Sequence, residues 1–197
     1  MSASRIRPIR TITQREVSDT LTDWRILIPM FILSFVLPEV LISGANFAVR
    51  FIGDSNTISR LVPFVMLLVG FIPASFSLIT ALETFVGERE RNSLEALLSM
   101  PISDNQLYLG KLVSSLLPPL LSSYTAMTVF ALSLRFGYPD LFFQGLTFEY
   151  LVLGFVLITF KALVMVASAV IISSHTTSVR AANLLASFVL LPTAAVV

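Results

Sequence analysis

The chain has 197 residues, of which 55% are hydrophobic and only 13% are charged. Soluble domains usually carry about 25% charged residues, so roughly half of the usual charge is missing. Thirteen Lys and Arg oppose twelve Asp and Glu, and the net charge of +1 indicates no particular class of partner. This composition excludes a disordered chain, a nucleic-acid-binding domain and nearly every soluble enzyme. The mean hydropathy of +0.87 indicates an integral membrane protein.

The N-terminal segment, residues 1–25, is predicted to form a cytoplasmic amphipathic helix. Apolar residues recur at helical spacing on one face, at Val17, Leu21, Trp24 and Ile28. A helix of this kind lies in the plane of the lipid headgroups, with Trp24 at the interface. Pro29 is then expected to mark the bend at which the surface helix turns into the membrane.

The apolar blocks that follow are long enough to cross a bilayer, which takes about 20 residues for each crossing. We predict four full spans and part of a fifth, at about residues 26–44, 61–84, 107–134, 150–173 and 181–197. The predicted fold class is therefore all-α, a polytopic bundle of transmembrane helices within one domain. The last block has no polar flank, so we expect the sequence to stop inside the fifth span of a longer protein.

The positions of Lys and Arg predict the orientation. With the N-terminus inside the cell, three of these residues fall in exterior loops, at Arg50, Arg60 and Arg135. The interior segments then hold nine: Arg5, Arg7, Arg10, Arg15, Arg25, Arg89, Arg91, Lys111 and Arg180. Because short cytoplasmic segments carry the excess of positive charge, we predict a cytoplasmic N-terminus in a multi-pass protein of the cell membrane.

The loop after the second predicted span contains a short helix of its own. Asn92 with Glu95 forms a capping box at its start, and Pro101 ends it near Met100. Its apolar face consists of Leu94, Leu97 and Leu98. These leucines need an apolar partner, and the residues alone leave three candidates: the membrane surface, the N-terminal helix and a separate cytoplasmic protein.

A longer motif surrounds this helix. The loop reads Gly87-Glu88-Arg89-Glu90-Arg91-Asn92-Ser93-Leu94-Glu95-Ala96-Leu97-Leu98-Ser99-Met100-Pro101-Ile102-Ser103, and Gly110-Lys111-Leu112 follows it. It resembles the permeases of ABC-2-type ATP-binding-cassette transporters, whose hallmark is G-E-R-E-R-G-T-L-E-x-L-L-x-x-P-[LI]-S and then G-K-L. Asn92-Ser93 replaces Gly-Thr, and the Asn retains the capping role. The similarity extends to the segment 15–25 and to the predicted turn 173–183.

The resemblance implies the permease subunit of an exporter-like (type V) transporter, a family whose permeases typically have six spans. Such a permease moves a substrate, here unknown, with ATP hydrolysed by a separate cytoplasmic subunit, and two permease copies or halves form the pathway. Its ATPase-coupling residues would be Glu88, Arg89, Glu90, Arg91, Asn92, Leu94, Glu95, Leu97 and Leu98. Because the sequence has no G-x-x-x-x-G-K-[ST] loop, we expect no cofactor on this chain, with ATP and Mg on the partner.

Two charges fall within predicted spans. Lys161 lies in the middle of the fourth span, where an ammonium costs about 2.5–3.5 kcal/mol on insertion scales. We expect it to face the bundle interior or water, with Glu39 and Glu149 as candidate partners. Lys161 and Glu39 are therefore candidate charges of a substrate pathway or a subunit interface. The alternative for both is a purely structural role.

Two other functions compete with transport. One is a membrane scaffold that recruits a cytoplasmic partner through the same loop helix without transporting anything. The other is an intramembrane protease, since the charged run Glu88–Arg91 loosely resembles that of glutamate-dependent membrane peptidases. Such enzymes need several His or paired acids to hold a metal or activate water, and this chain has one His, His175, and no Cys. The protease hypothesis is therefore the weaker alternative.

Overall fold

The computed structural model describes residues 22–52, 55–90, 104–176 and 178–195, together with residues 14, 17 and 18. All regular structure within these ranges is helical, which confirms the all-α class. The elements are α1 (Trp24–Phe31), a π-helical segment (Ile32–Val36), α2 (Leu37–Ile52), α3 (Ser55–Glu90), α4 (Asp104–Gly137), α5 (Pro139–Gly145), α6 (Phe148–His175) and α7 (Val179–Ala195).

Within the described ranges, four helical stretches are long and apolar enough to cross a membrane: Ile26–Ala45, Ile58–Gly87, Asn105–Gly137 and Phe148–His175. They coincide with the first four predicted spans and extend beyond most of the predicted limits by a few residues, because hydropathy marks the apolar part of a helix rather than its ends. Helix α7, of 17 residues, lies where the fifth apolar block was predicted.

The first membrane helix begins at Trp24, two residues before the predicted start of the first span at residue 26. Directly before this helix, Thr22 and Asp23 lie outside helical geometry. The Asp23 carbonyl accepts hydrogen bonds of 3.0 Å from the N–H groups of Ile26 and Leu27. Pro29, the predicted bend, lies inside α1. A membrane helix tolerates proline where neighbouring groups and local π geometry compensate for the missing N–H. Most of the predicted N-terminal amphipathic helix lies outside the described residues.

The π-helical segment precedes Pro38 in the first span. The N–H of Leu37 donates to the Ile32 carbonyl, five residues earlier. Pro38 has no N–H to donate to the Ser34 carbonyl, so the α-helical pattern is interrupted at this point in any case. The Ser34 hydroxyl is buried and lies 2.7 Å from the hydroxyl of Ser122 on α4. The Ser122 hydroxyl is also 3.3 Å from the Met30 carbonyl, so a polar contact ties the first span to α4.

The described residues divide into two compact units. Unit 1 comprises the described parts of Met1–Leu27, Ser75–Pro119 and Ala162–Val196, and unit 2 comprises those of Ile28–Ala74 and Leu120–Lys161. The core of unit 1 is formed by α3, α6 and α7, through the buried residues Leu78, Ala81, Leu82, Val86, Met165, Val166, Ala169, Ile172, Ala182 and Ala186. Leu112 and Leu116 of α4 pack against this cluster.

In unit 2, glycines allow close approach of helices. A Cβ on Gly70 of α3 would overlap the Ile158 side chain of α6, and a Cβ on Gly154 of α6 would lie 2.9 Å from the Met66 side chain of α3. Such close approach of two helices is typical of packing inside membranes, where small residues bring the backbones together.

The loop between the third and fourth spans contains α5, a short helix that was not predicted. Pro139 is suited to the first position of a helix, where no N–H is needed, and Asp140 favours the first turn. The Arg135 guanidinium lies over the ring of Phe143, 4.5 Å from its centroid. This cation–π contact holds the start of the loop against α5.

Candidate coupling site

The predicted coupling segment connects α3 and α4. Glu88, Arg89 and Glu90 form the last turn of α3, so the segment begins inside a helix rather than in the predicted loop. The other predicted coupling residues lie outside the described residues: Arg91, Asn92, Leu94, Glu95, Leu97 and Leu98. The structure thus defines the two stems of the segment, the end of α3 and the start of α4.

Both stems lie side by side within unit 1. The rings of Phe85 on α3 and Tyr108 on α4 have centroids 5.7 Å apart. Further from the coupling segment along both helices, the Thr80 hydroxyl is 2.9 Å from the Ser115 carbonyl. Because these two contacts run in opposite directions along the two helices, the stems form an antiparallel pair. An interhelical hydrogen bond in a membrane is worth only about 0.6 kcal/mol, so this bond stabilises the pair together with the apolar packing and not by itself.

Polar groups are buried along the same stems. Lys111 on α4 is only 3% exposed, and Ser114 and Ser115 are equally buried. The Ser77 hydroxyl of α3 is also buried and has no hydrogen-bond partner among the residues that the structure describes. From the sequence, Lys111 was interpreted only as an interior charge and as part of the G-K-L motif. Its position inside the predicted third span, 107–134, was the signal that it is buried.

The turn between α6 and α7 belongs to the same unit as the stems. Ser178 starts α7, because its hydroxyl accepts a 3.3 Å hydrogen bond from the N–H of Ala181. The Thr176 hydroxyl donates to the Ile172 carbonyl at 2.8 Å and closes the end of α6. His175 and Arg180 on either side of the turn are exposed, as expected for a turn outside the membrane.

Lys161 is held by α3 rather than by a carboxylate. Its Nζ donates a 2.9 Å hydrogen bond to the Phe71 carbonyl and lies 4.4 Å from the centroid of the Phe71 ring. The predicted pairing with Glu39 or Glu149 is therefore wrong. Phe71 offers both a backbone acceptor and the negative face of a ring, which together partly compensate for the desolvation of an ammonium.

Glu39 has a different partner. Its carboxylate accepts a hydrogen bond from the Ser133 hydroxyl, near the end of α4. Phe71, by contrast, lies in the middle of α3. The two candidate charges therefore lie at different heights along the helices of unit 2, and the structure does not bring Lys161 and Glu39 together.

Comparison with known proteins gives one positive finding. A family model described as "ABC-2 family transporter protein" matches residues 10–197. The match includes both stems, Lys161, Glu39 and the turn between α6 and α7. No curated protein matched the chain.

Proposed function

Because the chain belongs to the ABC-2 transporter family, it is a multi-pass membrane transport subunit, and we propose that it is the permease of an ATP-driven exporter. In this proposal a separate cytoplasmic subunit binds Mg-ATP and hydrolyses it, and two permease copies or halves enclose the pathway in the cell membrane. The transported substrate is unknown. The chain contributes the membrane helices and the segment that docks on the ATPase.

The antiparallel pair of stems is the observation that supports this function best. Phe85 contacts Tyr108, and Thr80 contacts Ser115, so α3 and α4 are joined at two points along the antiparallel pair. A force applied by the ATPase to the segment 91–103 then reaches two membrane helices together. A displacement of the segment would therefore move the end of α3 and the start of α4 together. Such a rigid-body displacement shifts packed helices between two arrangements.

The proposal places the N-terminus and the coupling segment in the cytoplasm, and the absence of cysteine makes this easy to test. We expect a Cys introduced at Asp140, which is exposed on α5, to react in intact cells with a membrane-impermeant maleimide. A Cys introduced at the exposed Ser18 should react only after the cells are permeabilised. The parent chain serves as the unlabelled control. Labelling of the Ser18 variant but not the Asp140 variant in intact cells would reverse the orientation.

The transport function is tested by isolating the partner. We expect the tagged protein, purified from its native membranes in mild detergent, to retain an ATPase subunit that carries a phosphate-binding loop. The complex in liposomes should hydrolyse ATP in a vanadate-sensitive manner, and a Lys→Ala change in the partner's phosphate-binding loop should remove this activity. A stable partner that hydrolyses no ATP would instead support the membrane scaffold.

A further inference from the structure

Lys161 has no other charged residue near it in the sequence of its span. In the sequence, the fourth predicted span (150–173) contains one charged residue, Lys161, and the charges of the second and third predicted spans, Glu83 and Lys111, lie near the ends of those spans. It lies in the middle of α6, at the depth where a fixed charge is most costly. The fold therefore places one positive charge in a wide apolar zone without a fixed negative charge beside it.

The ammonium of Lys161 is only partly satisfied. It has three N–H donors, and one of them donates to the Phe71 carbonyl. The residues with described positions supply no second acceptor for it. The side chain of Lys161 is half-buried, and Phe160 beside it on α6 is exposed. Phe71 fixes the position of the ammonium, and its other N–H donors can still bind an anion.

The surroundings of this charge are apolar. On the exposed side of α6, Leu157 lies one turn before Lys161, and Phe160 is adjacent to it. These side chains are 37% and 62% exposed, respectively. A ligand that reaches the ammonium here would bring an apolar chain against them, whereas a small hydrated anion would lose its water without any such gain.

A carboxylate from a second copy of the chain is the other candidate for the countercharge. Glu39 and Glu149 are acids of unit 2, but Glu39 lies beside Ser133 near the end of α4 and Glu149 lies in the first turn of α6, whereas Lys161 lies in the middle of α6. In a two-fold dimer with its axis along the membrane normal, equivalent residues share the same depth. The depth difference therefore disfavours a pair between copies.

We propose that Lys161 binds the anionic group, a phosphate, sulfate or carboxylate, of an amphiphilic substrate whose apolar chain lies along Leu157 and Phe160. This inference rests on the proposed transport function, since it names the chemical class of the transported molecule. Phe71 acts as the positioning residue, because it orients the ammonium through its carbonyl and its ring.

The test measures binding of radiolabelled dodecyl phosphate to the full-length protein in phosphatidylcholine nanodiscs, with empty nanodiscs as background. We expect saturable binding that dodecyltrimethylammonium and dodecylphosphocholine displace poorly. Lys161→Met, which preserves the volume and removes the charge, should weaken binding about tenfold, the effect of one charge-assisted hydrogen bond. Lys161→Arg should retain binding, and both variants are compared at equal yield of monodisperse protein.

The source of the anion and the competing explanations are separated by further arms. Replacing a third of the phosphatidylcholine by phosphatidylglycerol lowers dodecyl phosphate binding if a bilayer lipid is the ligand, and leaves it unchanged if a soluble amphiphile is. Equal binding of dodecyl phosphate by wild type and Lys161→Met overturns the proposal. Equal displacement of the radiolabel by dodecyltrimethylammonium and by unlabelled dodecyl phosphate overturns it as well. If Lys161→Met fails to fold, this displacement series on the wild type decides. Loss of binding in Glu39→Gln overturns it in favour of a pair between copies.

The same preparation separates this inference from the proposed function. ATP hydrolysis by the complex reports on transport coupling, whereas dodecyl phosphate binding to the isolated protein does not require the ATPase. Lys161-dependent binding without any co-purified ATPase would leave an anion site in a protein that is not a transporter. ATP hydrolysis with binding that ignores Lys161 would leave a transporter whose substrate is recognised elsewhere.

Discussion

Replacing Leu94 and Leu98 together by Asp is expected to abolish co-purification of the ATPase subunit while membrane insertion is unchanged. In the proposed function these two leucines lie on the face of the short helix that docks on the ATPase. Two carboxylates would have to be buried there without partners, and loss of an interface anchor costs about 2 kcal/mol or more for each position. The measurement is the ratio of ATPase to permease after affinity purification from detergent-solubilised membranes.

The matched control adds the same two charges to the opposite face of the same helix. Ala96→Asp with Ser99→Asp also introduces two carboxylates, but at positions that face away from the leucines at 100° per residue. This variant should retain the ATPase at nearly the wild-type ratio. If the leucine variant retains it equally well, the docking face is misassigned, even if the ATPase itself is correct.

Gly145→Ala is expected to destabilise the protein by about 1–3 kcal/mol, the usual cost of overpacking. A Cβ on Gly145 would lie 2.6 Å from the Ser59 carbonyl oxygen and 2.8 Å from the Val62 Cβ. Both neighbours belong to the start of α3, and a backbone oxygen has no rotamer by which to move away. Thermal unfolding in detergent, followed by loss of the monodisperse gel-filtration peak, measures the effect as a lower midpoint.

Gly137→Ala provides the comparison, because a Cβ on Gly137 meets no atom within 4 Å. Gly137 ends α4 and Gly145 ends α5, so both changes remove a glycine from the last residue of a helix in the same connection. The backbone effect is therefore similar, and the difference between the two midpoints isolates the contact with Ser59. Equal midpoints would show that α5 moves away from α3 without cost.

The helices were the most predictable part of the fold. Long apolar blocks specify a membrane helix because no other element satisfies its backbone inside lipid, so hydropathy alone located α3, α4 and α6. The ends were less predictable: α3 continues to Glu90, since charged residues such as Glu88 favour a helix as readily as a loop. Helix α5 was missed although Pro139 and Asp140 are a helix-start signal, because its 7 residues are too few to show a helical period of apolar residues.

The candidate site was predicted unevenly. The motif located the coupling segment, whereas the contacts that support it, such as Thr80 with Ser115, depend on which faces of two helices meet. A serine in an apolar span has no partner that its sequence neighbourhood specifies. The partner of Lys161 was wrong for a related reason. A search for an opposite charge finds Glu39, but Phe71 compensates for the ammonium with a carbonyl and a ring, and neither is visible as a charge.

The wide turn at Ile32–Val36 determines which side chains of the first span share a face. Its buried residues follow every fourth position: Met30, Ser34, Pro38 and Ile42. On a uniform α-helix each such step drifts by about 40°, so Met30 and Ile42 would diverge by about 120° and one of them would turn towards the lipid. A turn closed by a five-residue hydrogen bond takes up more residues and reverses part of this drift. A helical wheel drawn at constant pitch therefore misplaces the residues beyond Leu37, and substitutions in the two halves of this span should be planned on separate wheels.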